Sequence, residues 1–219
     1  DNPKTIRTVT YRELRELTYM GAKVFHHDAI SPVSKKGIPI HILNTCDLKD
    51  LGTKIVLKND VEGNPDIITG IAGKKGFMVI ALEKDQMNYQ VGFVRKILTI
   101  LETNNISFEH MPTGVDTLSI IIESAQFKEG ILKKIVEEIK AKCTPENIEV
   151  LPDMAMIAIV GREMANTPGV ASKVFTSLAN ASINVRMINQ GSSEISIIVG
   201  VEDKDCEESI RAIYNAFVK

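Results

Sequence analysis

The hydrophobic pattern of this chain repeats itself once, without a gap, at an offset of 77 residues. The stretch GFVRKILTILETNNISFEHMPTGVDTLSIII, which begins at Gly92, aligns with GVASKVFTSLANASINVRMINQGSSEISIIV, which begins at Gly169. Apolar, glycine and hydroxyl positions coincide along the alignment, as at Ile106 and Ile183. Self-similarity at a fixed offset indicates that one supersecondary unit has been duplicated.

Each copy predicts the same order of elements. An apolar run of strand length comes first, and an amphipathic helix follows it. Two short strands separated at a glycine come next, and then a second helix. In the first copy these elements are residues 77–82, a helix face of Phe93, Ile97, Ile100 and Leu101, residues 106–111 and 118–123, a helix face of Leu132, Ile135, Val136 and Ile139, and a last strand at 148–151. In the second copy they are residues 154–160, a helix face of Val170, Val174, Phe175 and Leu178, residues 183–188 and 195–201, and a helix face of Ile210, Ile213, Tyr214 and Phe217.

The order strand, helix, strand, strand, helix, strand is that of a ferredoxin-like unit. We therefore predict an α+β fold with two ferredoxin-like βαββαβ units. The second copy lacks its last strand, and an apolar stretch at residues 66–73 has the length and composition to replace it. This assignment makes the first unit, residues 76–153, an insertion in the second unit, which comprises residues 66–73 and 154–219.

Local signals refine this prediction. Thr167 is expected to cap the first helix of the second copy, with Pro168 in its first turn. Gly70, Gly73 and Gly76 are expected to bend the chain between strands. Their spacing alone does not predict a phosphate-binding loop, because the Gly-Lys-Ser/Thr ending and the following helix are missing.

The first 58 residues have no duplicate and are of another kind. Residues 8–17 predict a capped amphipathic helix, which Gly21 ends. Residues 38–43 predict a strand, with a turn directly after it. A helix followed by a strand is typical of the closing piece of an α/β domain, so residues 1–58 are expected to be such a tail.

The composition, with 44% hydrophobic and 25% charged residues, indicates a globular protein of one to three small domains. The net charge of -2 argues against a nucleic-acid partner. No apolar stretch has the length of a membrane span and no signal peptide heads the chain, so no membrane partner is expected. The three scattered cysteines favour a reducing, cytoplasmic location. The chain opens at Asp1, so we expect a segment of a longer protein.

Metal and nucleophilic chemistry find little support in the sequence. His26, His27 and Asp28 are adjacent, but neighbouring side chains rarely converge on one ion, and no further cluster of cysteine or histidine supports them. No arrangement of serine, histidine and aspartate points to nucleophilic catalysis. No metal site is predicted.

Four spaced segments of the tail resemble the end of the catalytic domain of aspartate kinases. They are YRELREL at residues 11–17, GAKVFH at 21–26, GIPI at 37–40 and Gly52-Thr53. The two duplicated units resemble that family's pair of ACT regulatory domains. The segment NISFEHMPTGVD at residues 105–116 resembles the lysine-responsive type found in Gram-positive bacteria.

The resemblance implies a kinase that transfers the γ-phosphoryl group of ATP to the side-chain carboxylate of aspartate, the first step towards lysine, threonine and methionine. ATP and magnesium are then cofactors of the full-length enzyme, whereas this segment is expected to need none. The family's amino-terminal Lys-Phe-Gly-Gly signature is absent, so we expect no catalytic residue here and no activity of the segment alone. Lys23 matches a nucleotide-contacting lysine of the family; the alternative is a solvated lysine after a helix.

The resemblance also implies an amino-acid effector, and the first copy offers groups for one. Free N–H groups at a helix start favour the α-carboxylate. Glu109 and Asp116 are available to an ammonium group, although Gly114 and Asp116 could equally form a simple hairpin turn. The predicted effector site comprises Met87, Asn88, Gln90, Val91, Gly92, Phe93, Val94, Ser107, Phe108, Glu109, Thr113, Gly114, Asp116 and Thr117.

The second copy predicts a weaker site, because Ser193 stands where the first copy has Asp116. The residues of this possible second site are Asn166, Gly169, Val170, Asn184 and Asn189. Two roles are open for these residues: binding of a second effector molecule, or a structural role. We favour the structural role. The expected effector is lysine, with threonine as the other candidate.

The exposed edge and face of a ferredoxin-like sheet favour a homodimer through the ACT domains. The alternative function is a free-standing amino-acid-sensing module without catalysis.

Overall fold

A computed structural model of the chain describes residues 3–22, 27–47, 49–57 and 66–218, with the side chains of 27–29 left out. The chain divides into two compact units: unit 1 is Asp1–Lys74 with Met156–Lys219, and unit 2 is Lys75–Ala155. Unit 2 is therefore a continuous insertion in unit 1. Two long strands, each of 14 residues, pass from one unit to the next along the chain. They are β4 (Gly70–Glu83) and β6 (Asn147–Val160).

The amino-terminal part of unit 1 is a small α/β layer. Its elements are β1 (Thr8–Thr10), α1 (Tyr11–Tyr19), α2 (His27–Lys35), β2 (Ile40–Ile42) and β3 (Thr53–Val56). The sheet order is β1-β3-β2, with β1 parallel and β2 antiparallel to β3. The helix predicted at residues 8–17 begins only at Tyr11, because residues 8–10 form β1. It is capped, since the Thr10 side chain accepts from Glu13 N and the Glu13 side chain accepts from Thr10 N. The apolar face of α1 contributes Leu14 to a core with Val9 and Ile55.

The rest of unit 1 is a ferredoxin-like unit. Its helices are α5 (Val170–Asn180) and α6 (Cys206–Val218), and its remaining strands are β7 (Met187–Gln190) and β8 (Ser196–Glu202). Within unit 1 the strand order is β4-β6-β8-β7. The first residues of β4 therefore occupy the edge that the second copy could not fill from its own end. This agrees with the strand that the sequence predicts at residues 66–73, although β4 begins only at Gly70.

Unit 2 is the second ferredoxin-like unit. It contains α3 (Phe93–Thr103), β5 (Thr117–Glu123) and α4 (Ile131–Cys143), with strand order β5-β4-β6. β4 and β5 are antiparallel, in register from Phe77 opposite Glu123 to Glu83 opposite Thr117. The predicted face of α3 is confirmed as core. On α4, Ile135 and Ile139 are confirmed, Leu132 is partly buried against them, and Val136 lies outside this core cluster. The buried members of the cluster are Ile80, Leu82, Met87, Phe93, Ile97, Ile100, Leu101, Ile106, Leu118, Ile120, Ile122, Ile135, Ile139 and Cys143.

The strand predicted at residues 106–111 is not regular. Isolated bridges, rather than a continuous ladder, join His110 to Ile121 and, just after the segment, Thr113 to Leu118. Glu109 N donates to Ile121 O at 2.8 Å, while His110 O accepts from Ile121 N at 2.9 Å. Two residues thus oppose one, which is the pattern of a bulge, and a bulge interrupts the ladder.

The bends expected at the glycines are wrong for two of them, because Gly73 and Gly76 lie inside the continuous strand β4. A Cβ on Gly73 would approach Ile210 Cδ1 to 2.7 Å, so this glycine allows α6 to pack closely on the strand. Gly76 has a φ of +87°. Glycine adopts this angle without steric cost, so the strand continues through the residue without a turn.

The expected cap at Thr167 is also wrong. The Thr167 hydroxyl donates to Glu163 O at 2.7 Å, inside the preceding 3-10 turn. Gly169, with a φ of 87°, holds the N-cap position of α5. The same position in unit 2 is held by Gly92, with a φ of 80°, so both copies enter their first helix through a left-handed glycine.

Candidate functional site

The start of α3 in unit 2 has the geometry of an anion site. A 3-10 turn, Met87–Tyr89, precedes the helix, and the Gly92 N-cap provides no side-chain cap. A helix start without such a cap presents the N–H groups of its first turn to a ligand, and the helix dipole favours negative charge there. This arrangement suits the carboxylate of an amino acid.

The polar turn before β5 lies at the same end of the unit 2 sheet. Lys84 N donates to Asp116 O, and Gly114 N donates to Thr117 O, both at 2.8 Å. Asp116 is exposed and its carboxylate is open to solvent. The residues that the structure brings to this end are Met87, Asn88, Gln90, Val91, Gly92, Phe93, Val94, Thr113, Gly114, Asp116 and Thr117. Met87 and Phe93 are buried in the core and support the site from beneath.

Three predicted site residues, Ser107, Phe108 and Glu109, are not brought to this end. Ser107 donates from its backbone N and its hydroxyl to Gln126 Oε1, both at 2.9 Å, and Gln126 Nε2 donates to Ser107 O at 3.0 Å. Gln126 follows the far end of β5, and a strand rises about 3.3 Å per residue, so these residues lie at the opposite end of the sheet. Within a single chain, Ser107, Phe108 and Glu109 are therefore separate from the start of α3.

Glu146, which the sequence analysis missed, positions the loop before the α3 start. Its carboxylate accepts from Asp85 N at 2.8 Å and from Lys84 Nζ at 3.3 Å. The hydrogen bond from Asp85 N is the main reason that the pKa of Glu146 is lowered. The partners are 61 residues apart in sequence, so no local pattern indicates this contact.

Unit 1 contains a cleft of about 600 Å³ at the corresponding place. The start of α5 forms one wall and the turn between β7 and β8 forms the other. The lining residues are Met164, Ala165, Asn166, Thr167, Pro168, Gly169, Val170, Ala171, Gln190, Gly191, Ser192, Glu194 and Ile197. Glu194 is the acid among them, so the cleft combines a helix start with a carboxylate, and the sequence analysis did not include Glu194 in the site.

Three of the five residues of the possible second site line this cleft: Asn166, Gly169 and Val170. Asn184 and Asn189 do not line it. Asn189 pairs with Ile198 in the β7–β8 ladder. Asn184 follows the other end of α5 and is exposed there.

Lys23 lies outside the described residues, and so does His26. Among the residues that the structure describes, no group of three or more histidine, cysteine and acidic side chains is arranged to hold a metal ion. Within the same residues, no helix is long and apolar enough to cross a membrane.

Two family models match the chain. Residues 157–217 match the one described as ACT domain, and residues 1–44 match the one described as Amino acid kinase family. The first match covers most of the ferredoxin-like part of unit 1. The second falls on the α/β layer that precedes it.

Relatives match along almost the whole chain. Aspartokinase 3 of Bacillus subtilis is 36% identical over 99% of this chain and 47% of its own length. The crystal structure of aspartate kinase from Clostridium acetobutylicum, described as an allosteric enzyme, is 55% identical with a TM-score of 0.94, over 99% of this chain and 50% of its own. Aspartokinase III of E. coli, in complex with lysine and aspartate, shares the fold with a TM-score of 0.78 and 24% identity, over 99% of this chain and 47% of its own. The chain spans about half the length of these relatives.

Proposed function

Because the chain corresponds to the C-terminal half of aspartate kinases, we propose that it is the regulatory half of an enzyme that phosphorylates L-aspartate. The match along 99% of the chain, at 36% and 55% identity, carries this proposal. The full-length enzyme would transfer the γ-phosphoryl group of ATP to the aspartate side chain, giving 4-phospho-L-aspartate. ATP and magnesium would act in the half that this chain does not include, and Lys23 would reach the nucleotide from the tail. The three cysteines, scattered along the chain, favour the cytoplasm.

The chain would comprise three functional parts. Residues 1–58 would close the kinase domain, residues 76–153 would form the first ACT domain, and residues 66–73 with 154–219 would form the second. The family matches at residues 1–44 and 157–217 support the first and last of these assignments. The matching tail is also the observation that argues against a free-standing amino-acid sensor, the alternative function, because a sensor needs no kinase segment.

The effector would bind at the α3 start of unit 2. Its α-carboxylate would meet the N–H groups of Val94 and Arg95, because Phe93 N already donates to Gln90 O at 3.1 Å. Asp116 would attract the α-ammonium or a lysine side chain. Charged hydrogen bonds contribute roughly 1.5–3 kcal/mol each, which is enough to select a zwitterion. We propose lysine as the effector because of the exposed carboxylate of Asp116 in this turn; lysine is also present in the E. coli relative. Threonine remains the competing candidate.

A second effector site would be the unit 1 cleft. One observation favours it: the cleft joins the α5 start to Glu194 and has about 600 Å³ of space, ample for an amino acid. The sequence favoured a structural role for this region. Titration calorimetry distinguishes that role from ligand binding.

A homodimer through unit 2 accords with its exposed apolar side chains. Tyr89, Val91 and Val115 are 79%, 102% and 65% exposed, and all three flank the proposed effector site. A second copy with the same patch would cover them in an isologous, two-fold arrangement. Light scattering at micromolar concentration is the test, and a monomer would contradict the dimer.

Titration calorimetry of this chain with L-lysine and L-threonine tests the effector assignment. We expect heat from lysine, and an affinity about tenfold or more weaker in Asp116→Ala, since about 1.4 kcal/mol corresponds to tenfold. Ser193→Ala changes the equivalent position of unit 1 and is the matched control, with little expected effect. Heat from threonine alone would overturn lysine as the effector. Two bound ligands per chain would favour the second site.

A comparison of this chain with the full-length protein tests the enzymatic proposal. The full-length protein should form aspartyl phosphate from ATP and aspartate, whereas this chain should form none. Turnover by the pure chain would show that the catalytic groups lie within it.

A further inference from the structure

Glu13 is the buried charge that the proposed effector sites do not use. The residue is 1% exposed, yet its carboxylate is fully surrounded by donors. Thr10 donates to Oε2 from its backbone N at 2.8 Å and from its hydroxyl at 2.6 Å. The Thr69 hydroxyl donates to Oε1. A carboxylate buried to this degree is tolerated only when it is paired and hydrogen-bonded, so this position is built for a charge.

The charge partner is Arg162, which comes from the far end of the chain. Arg162 Nη1 lies 3.1 Å from Glu13 Oε1 and 2.9 Å from Oε2, and Arg162 N donates to Oε1 at 3.1 Å. The arginine side chain is only 10% exposed. The pair therefore joins α1, which belongs to the proposed kinase segment, to the second residue after β6.

The duplication shows what this contact replaces. At the offset of 77 residues, Arg162 is equivalent to Asp85 of unit 2. Asp85 N donates to a carboxylate as Arg162 N does, but that acid is Glu146, which belongs to unit 2 itself. In both copies one carboxylate thus holds the loop that leads to the first helix of the unit. In unit 1 alone this carboxylate comes from the preceding segment.

Arg162 is also directly connected to the walls of the unit 1 cleft. It begins the 3-10 turn Arg162–Asn166, whose later residues line the cleft. The preceding residue, Gly161, donates from N to Ile195 O at 2.9 Å, beside Glu194 of the other wall. A second contact reaches α1 from the residue before Ile197, since Ser196 Oγ lies 3.2 Å from Glu16 Oε2. Helix α1 therefore contacts residues next to both walls, Arg162 and Ser196, through two acids three residues apart on one face.

We propose that Glu13 and Arg162 are positioning residues that couple the regulatory state of unit 1 to helix α1. The inference rests on the proposed allosteric function. An effector that moves the turn after Arg162 displaces the guanidinium, and the two-oxygen contact carries that displacement to Glu13. Neither residue is among those that line the unit 1 cleft, so removal of the pair should separate inhibition from binding.

The test uses the full-length enzyme and the effector, lysine or threonine, that inhibits the wild type. The double variant Glu13→Gln with Arg162→Met removes both charges together and leaves no unpaired charge in the core. We expect basal activity within about twofold of wild type and unchanged effector affinity by calorimetry. Because the effector still binds, the factor by which a saturating effector lowers activity should shrink about tenfold or more, within the roughly 5- to 150-fold range of allosteric couplings. Arg211→Met is the control, because Arg211 pairs with Glu208 on the exposed face of α6.

Arg162→Lys is the second, milder variant. It keeps the charge but lacks the guanidinium, whose Nη1 lies within 3.1 Å of both carboxylate oxygens, so it should weaken inhibition by a smaller factor. Inhibition equal to wild type in both variants would overturn the inference alone. Loss of basal activity in both would also overturn it, because the pair would then serve folding or catalysis. A wild type that neither lysine nor threonine inhibits would overturn the proposed function, and the inference with it.

Discussion

Replacing Gly161 by alanine tests how closely the segment before β4 approaches the end of β6. A Cβ at this position would lie 2.3 Å from Ile67 O and 2.8 Å from Ile68 Cα. Both are backbone atoms, so no side chain is able to swing aside. The backbone at Gly161 is extended, with a φ of -175°, so alanine adds no conformational strain and the effect is purely steric. The neighbouring Thr69 N to Val160 O bond, at 2.7 Å, holds the two segments together.

We expect Gly161→Ala to lower the free energy of unfolding by about 1–3 kcal/mol, the usual cost of overpacking. Gly191→Ala is the matched control in the same unit, since a Cβ there meets no atom within 4 Å. Its expected effect is within about 0.5 kcal/mol. Urea unfolding followed by far-ultraviolet circular dichroism measures both, and hydrogen exchange at residues 156–160 localises the loss to unit 1. A Gly161→Ala variant as stable as the control would refute the close approach.

Three further predictions concern backbone strain, thiol access and pH. Asp153 has a φ of 55°, so Asp153→Gly should raise the unfolding free energy by about 0.5–1 kcal/mol, and Gly76→Ala, at a φ of 87°, should lower it by about 1 kcal/mol; urea unfolding measures both. A thiol reagent should modify exposed Cys46 in the native protein, but Cys143, whose pKa burial raises, only after unfolding; mass spectrometry of the labelled peptides decides. Burial alone would raise the pKa of Glu13, but hydrogen bonds from Thr10 and Thr69 and the charge of Arg162 lower it below 4.5. Stability should therefore fall as the pH drops from about 4.5 through that lowered pKa, and a Glu13→Gln variant with the same slope would contradict this.

The helices of this fold were predictable because their apolar spacing is dictated by burial on one side. Ile97 and Ile100, placed on the core face by their spacing, are both 0% exposed. The insertion was predictable for a different reason. A duplicated unit that lacks one strand leaves an unpaired sheet edge, and an apolar segment of the right length stood directly before the first copy.

The strand boundaries were less predictable, because glycine has two opposite uses. The sequence predicted bends at Gly73 and Gly76. In the structure both lie within β4, where Gly73 makes room for Ile210. Which use applies depends on what packs against the glycine, and that is decided by distant residues. The bulge at Glu109 and His110 is equally hidden, since it arises from the partner strand.

The candidate site was predictable from the sequence only where backbone N–H groups at a helix start form it. The helix starts at Gly92 and Gly169 follow from the duplicated pattern, but the side chains that hold the loops in place do not. The partners of Ser107 and Asp85, which are Gln126 and Glu146, lie 19 and 61 residues away in sequence. A periodicity argument covers one element at a time and does not indicate such pairs.

The two copies of the repeat differ in where their edge strand and their loop-holding carboxylate come from in the chain. The first copy supplies its own last strand within β6 and its own loop-holding acid, Glu146. The second copy takes its edge strand from the start of β4 and its acid, Glu13, from α1. A unit completed by an outside segment cannot rearrange without acting on that segment, because the borrowed groups are part of its own structure. This is why the coupling that we propose runs from the second copy to the amino-terminal tail.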